Sequence, residues 1–126
     1  MSVTVLILGA SQMQIPAISA GHDLGFRVAV ADRTSETPGV ALADEFVPVD
    51  LADQDGMLRA ARKLQSAGGL DGVFTAGTDF STSVAYVAES LGLPGVPFKV
   101  AQNASDKALM RGVFSLAGLP SPRFVT

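Results

Sequence analysis

Residues Val3-Thr-Val-Leu-Ile-Leu8 form an almost unbroken run of β-branched and leucine residues that stops at Gly9. A strand with one wet face alternates polar and apolar residues. A run without alternation suits a strand covered on both faces, as parallel sheets require. Parallel strands need a crossover, and the residues after Gly9 supply one. Ser11 suits an N-cap and Pro16 an early helical turn. Ile15, Ala17, Ile18, Ala20, Gly21 and Leu24 recur at helical spacing, and Gly25 is a C′ stop.

The same punctuation continues along the chain. Phe26 to Ala31 is the next predicted strand, ending at Asp32, and residues 33–40 are a polar connection bearing Pro and Gly. Phe46 to Val49 is a short strand. Asp53 caps a helix running to about Ala67, with Met57, Ala61 and Leu64 on one face and Gly68-Gly69 at its end. Asp71 to Thr75 is a strand, followed by the loop Ala76–Asp79. Ser81 to Leu91 is a helix with Val84, Val87, Ala88 and Leu91 facing inward, stopped at Gly92. Leu93–Val96 reads as a very short strand or turn, and Phe98–Asn103 as a single helical turn. Ser105 is expected to cap a last helix carrying Leu109, Val113 and Leu116, ended by Gly118. Strand and helix alternate throughout. The expected fold is α/β, a Rossmann-like, doubly wound and mostly parallel sheet flanked by helices.

At 126 residues and 48% hydrophobic, the chain suits one domain with a real core. A net charge of −3 with scattered Lys and Arg gives no footprint for nucleic acid. Cysteine is absent, which excludes disulfides and thiolate metal sites and suits a reducing compartment. No apolar run approaches the ~20 residues of a membrane span. The N-terminus lacks the basic region of a signal peptide. A cytoplasmic protein is therefore expected.

Ligands of open parallel sheets sit at the carboxyl ends of the strands. Three polar loops fall there: Gly9–Gln14, Asp32–Thr34 and Gly77–Asp79. The first joins a glycine turn to a helix N-terminus, a ready anion site. A dinucleotide fold wants Gly-x-Gly-x-x-Gly, but only Gly9 is present, with Ser11 and Gln14 at the other glycine positions. Nicotinamide binding is disfavoured, despite Asp32 at a suggestive separation. The loop is either a plain βα turn or a small-substrate site using Ser11, Gln12 or Gln14. Asp32 suits a ribose hydroxyl, a turn cap or a pair with Arg33, and the structural roles are favoured. Thr78 and Asp79 either orient a substrate amine or hydroxyl or cap the next helix. His22 is the single histidine and reads as a solvated helix position. Asp50, Asp53 and Asp55 read as caps and solvated charge, since no further ligands match a calcium loop. Lys107 and Arg111 lie one helical turn apart. From spacing alone they are solvated surface. Yet a lysine in a first turn meets partial positive charge, so Lys107 is unfavourable there unless an anion lies nearby.

Several segments, taken in order, resemble a known family. They are Ile7-Leu-Gly-Ala-Ser-Gln-Met-Gln-Ile-Pro16, Ala43-Asp44, Gly77-Thr-Asp-Phe80, Leu91-Gly-Leu-Pro-Gly95, Asp106-Lys-Ala-Leu-Met-Arg111 and Ala117-Gly-Leu-Pro-Ser-Pro122. The set is similar to the N-terminal (pre-ATP-grasp) domain of ATP-grasp ligases, in the branch resembling carbamoyl phosphate synthase and phosphoribosylglycinamide synthetase. The resemblance spans the whole chain. It implies a protein that activates a carboxylate as an acyl phosphate with ATP and Mg²⁺ and joins it to an amine or similar nucleophile. It also implies that Lys107 reaches an ATP phosphate as a point charge. Gly9, Ser11, Gln12, Gln14, Asp32, Gly77, Thr78 and Asp79 would then face the carboxylate or amine substrate.

The family's Mg²⁺ ligands, glycine-rich lid and adenine clamp lie downstream of the residues matched here. The chain is therefore expected to hold no metal ligand and no catalytic residue, and to be inactive alone. Residues 1–120 would be the pre-ATP-grasp domain and 121–126 the start of the following ATP-grasp domain, cut off as a strand begins. The downstream domains of the same polypeptide are the expected partners. The apolar face of Leu109, Val113, Leu116 and Phe124 would be left partly exposed, favouring a homo-dimer or weak oligomer. The rival reading is a stand-alone Rossmann-like metabolite- or nucleotide-binding module without catalysis.

Overall fold

The computed structural model describes residues 2–125. The strand expected from the first apolar run forms as β1, Thr4–Leu8, and every residue in it is buried. Val5 and Ile7 point into one core with Ile18, Val28 and Val30. Leu6 and Leu8 point into another with Met57, Ala61, Leu64 and Val87. An apolar residue on either side of the pleat is what two helical layers demand. Full burial of Leu6, Ile7 and Leu8 contributes roughly 1.5–3 kcal/mol each.

A 3-10 turn over Gln12–Gln14 leads into α1, Ile15–Asp23, with Pro16 in its first turn. Gly25 adopts φ +76°, and Phe26 N–H donates to Gly21 O at 2.9 Å, closing the helix as expected. Strand β2, Arg27–Asp32, pairs in parallel with β1. A 3-10 turn at Val40–Leu42 precedes β3, Glu45–Pro48, which pairs in parallel with β2. Helix α2, Gln54–Gly68, starts at Asp53, whose carboxylate accepts Gly56 N–H. Strand β4, Gly72–Phe74, returns beside β1. Helix α3, Ser81–Leu91, stops at Gly92 in the left-handed region.

The sheet order is β3-β2-β1-β4, all parallel. Helix α1 covers one face; α2 and α3 cover the other. This is the expected doubly wound α/β architecture.

The last third departs from expectation. Leu93–Val96 is a turn and not a strand. The single helical turn expected at Phe98–Asn103 is instead a helix, α4, Phe98–Ser105, held by burial of Ala101 and by packing on α3. The final helix α5, Lys107–Leu116, is capped by Asp106 and not by Ser105. Asp106 has the extended backbone of an N-cap and accepts N–H bonds from Ala108 and Leu109 at 2.8 and 3.0 Å. Ser105 is still helical and belongs to α4. Residues 122–125 form no strand, because no neighbouring strand offers them a hydrogen-bond ladder; Thr126 lies outside the described residues.

Candidate functional site

Strand order reverses direction between β1 and β4, and their following loops leave toward opposite faces. Such a switch point opens a crevice at the carboxyl edge of a parallel sheet. Here that crevice is filled from within. Gln14 is completely buried between the two loops. Its Oε1 accepts Ala76 N–H at 3.0 Å, and its Nε2 donates to Ala76 O. One carboxamide thus pairs with both backbone groups of a residue 62 positions away.

A second chain of hydrogen bonds lies beside it. Thr75 Oγ1 donates to Leu8 O at 2.6 Å, which uses its only proton. The 2.7 Å bond between the Thr75 and Thr78 hydroxyls must therefore be donated by Thr78. Thr78 Oγ1 in turn accepts Phe80 N–H at 3.3 Å. Gly9 (φ +104°) fits against both arrangements, since a β-carbon there would lie 3.4 Å from Gln14 Cγ and 3.4 Å from Thr78 Cγ2.

Asp32 is engaged as well. Its Oδ2 accepts Ala10 N–H at 3.0 Å and its Oδ1 accepts Arg33 N–H at 2.7 Å. The carboxylate thus ties the ends of β1 and β2 together, a role not foreseen from the sequence. Gly39 N–H donates to Ala10 O at 2.7 Å, which lays the 33–40 connection on the same loop.

The structure therefore sorts the predicted residues. Gly9, Ser11, Gln12, Gln14, Gly77, Thr78 and Asp79 come together at one crevice, with Asp32 at its rim. Gln14, Thr78 and Asp32 direct their polar atoms to the protein itself. Among the described residues, the side chains of Ser11, Gln12 and Asp79 make no hydrogen bond, and all three are exposed. Met13 was missed by the sequence reading. It is 64% exposed and its Cε would lie 3.1 Å from a β-carbon at Gly77, so its side chain covers that glycine. No sequence signal separates such a methionine from a core one, because the contact joins loops far apart in the chain.

Lys107 lies at this same edge. Ser105 Oγ is 3.3 Å from Ser81 Oγ, which fixes the α4–α5 junction beside the N-terminus of α3, two residues past Asp79. A hollow of about 330 Å³ opens there, lined in part by Gln54, Thr82, Ser105 and Asp106. Lys107 is exposed and makes no ion pair among the described residues. The electrostatic reason for an outside anion is weaker than the sequence implied. The Asp106 carboxylate at the helix mouth already offsets a first-turn cation. A further hollow of about 580 Å³, lined by Phe46, Arg59 and Lys63 among others, runs along the outer edge of β3. It lies away from the switch point and gathers none of the candidate loops, so the carboxyl edge remains the better site.

His22 is not merely solvated: its Nε2 lies 3.0 Å from Asp44 Oδ2, which also accepts Val28 N–H at 2.7 Å. That backbone bond, with smaller help from His22 and Arg27, holds the Asp44 carboxyl below its usual pKa against a partial desolvation. Among the described residues, no cluster of three acidic or histidine side chains fits a metal ion, and no helix is long and apolar enough to cross a membrane.

The family model described as the ATP-grasp N-terminal domain matches residues 18–95, more than half of the chain. The chain belongs to the ATP-grasp N-terminal domain family. Enzymes with this domain use ATP and Mg²⁺. No curated protein sequence matches. Among solved structures, phosphoribosylglycinamide synthetase from Anaerococcus prevotii superposes with a TM-score of 0.87 at 26% identity, over 98% of this chain and 31% of that one. L-amino acid ligase from Bacillus licheniformis gives 0.81 at 23% identity, over 96% and 30%. N5-carboxyaminoimidazole ribonucleotide synthetase from Thermus thermophilus gives 0.67 at 26%, over 94% and 31%. This ATP-grasp N-terminal domain thus spans about a third of the length of the proteins it superposes on.

Proposed function

We propose that this ATP-grasp N-terminal domain forms the substrate wall of an ATP-dependent ligase that activates a carboxylate and joins it to an amine or similar nucleophile. The carrying observation is the convergence of the switch-point loops and the α4–α5 junction on one edge of a domain from this family. ATP would supply the phosphoryl group that makes the carboxylate reactive. Lys107 offers a free ammonium to its phosphates. Ser11, Gln12 and Asp79 carry the free polar groups that would meet the carboxylate or amine. Gly9, Gln14, Asp32, Gly77 and Thr78 would shape the wall behind them. Mg²⁺ would be held by residues outside this chain.

The reading divides the chain into a domain over 1–120 and a lead-in to the next domain over 121–126. It makes the downstream ATP-grasp domains of the same polypeptide the main partner, with the apolar side of α5 turned toward them. The ligase would work in the cytoplasm, where ATP is available.

The test is carboxylate-dependent ATP turnover by the full-length gene product with Mg²⁺ and a panel of carboxylates and amines, beside the 126-residue chain alone. Turnover is expected of the former only. Lys107→Met should weaken ATP binding roughly 10–100-fold, the worth of one charged hydrogen bond. Absence of turnover with any carboxylate would refute the ligase reading, and unchanged ATP affinity in the variant would remove Lys107 from it.

A further inference from the structure

A glutamine completely buried in a sheet crevice is costly unless every polar atom is paired. Gln14 meets that condition in one way only, through both backbone groups of Ala76. Its carboxamide behaves there like one more strand residue. It extends pairing between β1 and β4 past Ile7 and Phe74, the last ladder partners. Thr75, bonded to Leu8 O, reinforces the same seam. The loops after β1 and β4 lead to helices on opposite faces. Besides this amide they touch through the Thr75 bond, the packing of Thr78 on Gly9 and the cover of Met13 over Gly77. Of these contacts only the Gln14 amide pairs with the backbone of the Ala76–Asp79 loop.

We propose that Gln14 is the positioning residue of the substrate wall: its amide locks the Gly77–Asp79 loop to the Gly9 loop, so that Ser11, Gln12 and Asp79 face the ligand as one rigid unit. The inference rests on reading this edge as the substrate side. It assigns Gln14 no contact with substrate. The device needs a neutral group that both donates and accepts. Leucine fills the space and leaves Ala76 N–H and C=O unpaired. A glutamate fits the space but, when ionised, turns an acceptor toward the Ala76 carbonyl. Only when protonated does it regain the donor. A carboxyl buried here would titrate above the ordinary glutamate value of roughly 4.3, because burial disfavours the charged form. The acidic groups of the same edge, Asp32 and Asp79, act in the same direction, and the exposed cations Arg33 and Lys107 oppose them.

The experiment uses the ¹⁵N-labelled chain as it stands, with Gln14→Glu and Gln14→Leu, followed by amide shifts and exchange at Ala76, Gly77, Thr78 and Ser11. In Gln14→Leu, exchange at Ala76 should rise about tenfold or more at every pH. In Gln14→Glu, parent-like shifts should hold at acid pH and be lost together in both loops as the new carboxyl ionises. A merely space-filling side chain predicts parent-like exchange in Gln14→Leu, which keeps the volume and removes the hydrogen bonds. Loop exchange within about twofold of the parent in both variants would overturn the proposal. So would a Gln14→Glu effect independent of pH, or a Gln14→Glu chain unfolded even in acid. The full-length Gln14→Glu protein separates the two readings. Should the loops uncouple while KM for carboxylate and amine stays unchanged, the lock stands and the substrate wall lies elsewhere.

Discussion

Gly39 gives the sharpest test of how the carboxyl edge is packed. Its backbone is ordinary right-handed helical, φ −69° and ψ −22°, so conformation does not demand glycine. Close approach does. A β-carbon there would lie 2.6 Å from the Ala10 carbonyl oxygen and 2.9 Å from Ile18 Cδ1. The Ile18 methyl can rotate away. The Ala10 oxygen cannot, since it is backbone and accepts the Gly39 N–H at 2.7 Å. Alanine at an unstrained glycine position normally stabilises by ~0.4–1 kcal/mol through the unfolded chain. Forcing an atom into a packed site costs ~1–3 kcal/mol. The clash should win, leaving Gly39→Ala less stable by about 1–2 kcal/mol. For a chain of this length that is a fall in Tm of roughly 4–8 °C. Gly68→Ala is the control. It ends α2 with nothing within 4 Å of the added carbon, and it should gain about 0.5–1 kcal/mol. Urea unfolding of both variants with an unchanged slope reads the difference. If Gly39→Ala proves as stable as the parent, or both alanines shift stability the same way, the close contact between the 33–40 connection and the Gly9 loop is not there.

Three more outcomes follow from contacts elsewhere. Tyr86, the single tyrosine, donates to Asp55 Oδ1 at 2.7 Å, and that bond to an anion raises its pKa above the ordinary 10.0. Its contribution is thus present below pH 10 and lost as pH rises through the raised value; an ultraviolet tyrosinate titration should move down in Asp55→Asn, and no movement would contradict the bond. Asp44 is shifted the other way, below 3.8. Its contribution is present above that value and lost as pH falls through the lowered one, so Asp44→Asn should flatten the acid destabilisation seen in urea titrations carried down through pH 3.8 and below. Leu109, Val113 and Leu116 leave α5 with an exposed apolar face. Sedimentation should therefore show self-association of the isolated chain that Val113→Glu reduces, and a clean monomer at high concentration would count against it.

β1 was readable because an unbroken run of β-branched and leucine residues has one economical fate in an α/β chain. The ends of α1 and α3 were readable because Gly25 and Gly92 take positive φ, a property of the residue itself. Asp53 announced its helix for the same local reason. The α4–α5 junction was misread because Ser105 and Asp106 are both cap-forming residues and adjacent. Packing of Ala101 kept Ser105 helical and its hydroxyl went to Ser81, leaving Asp106 as the cap. Lys107 looked in need of an outside anion only while Asp106 was not known to occupy the helix mouth.

The candidate loops were found from their place after strands, and their gathering at one edge follows from a parallel sheet. Which of their atoms remain free did not follow. Gln14, Ser11 and Gln12 look alike in sequence as polar residues after a glycine turn, yet one is sealed in the crevice and two face solvent. Local pattern determined the elements, their order and the class of fold, because apolar periodicity and glycine or proline stops act within a few residues. Tertiary structure decided which polar groups are occupied and which are available, because the bonds from Gln14 to Ala76, Thr75 to Leu8 and Asp32 to Ala10 join residues brought together only when the sheet forms.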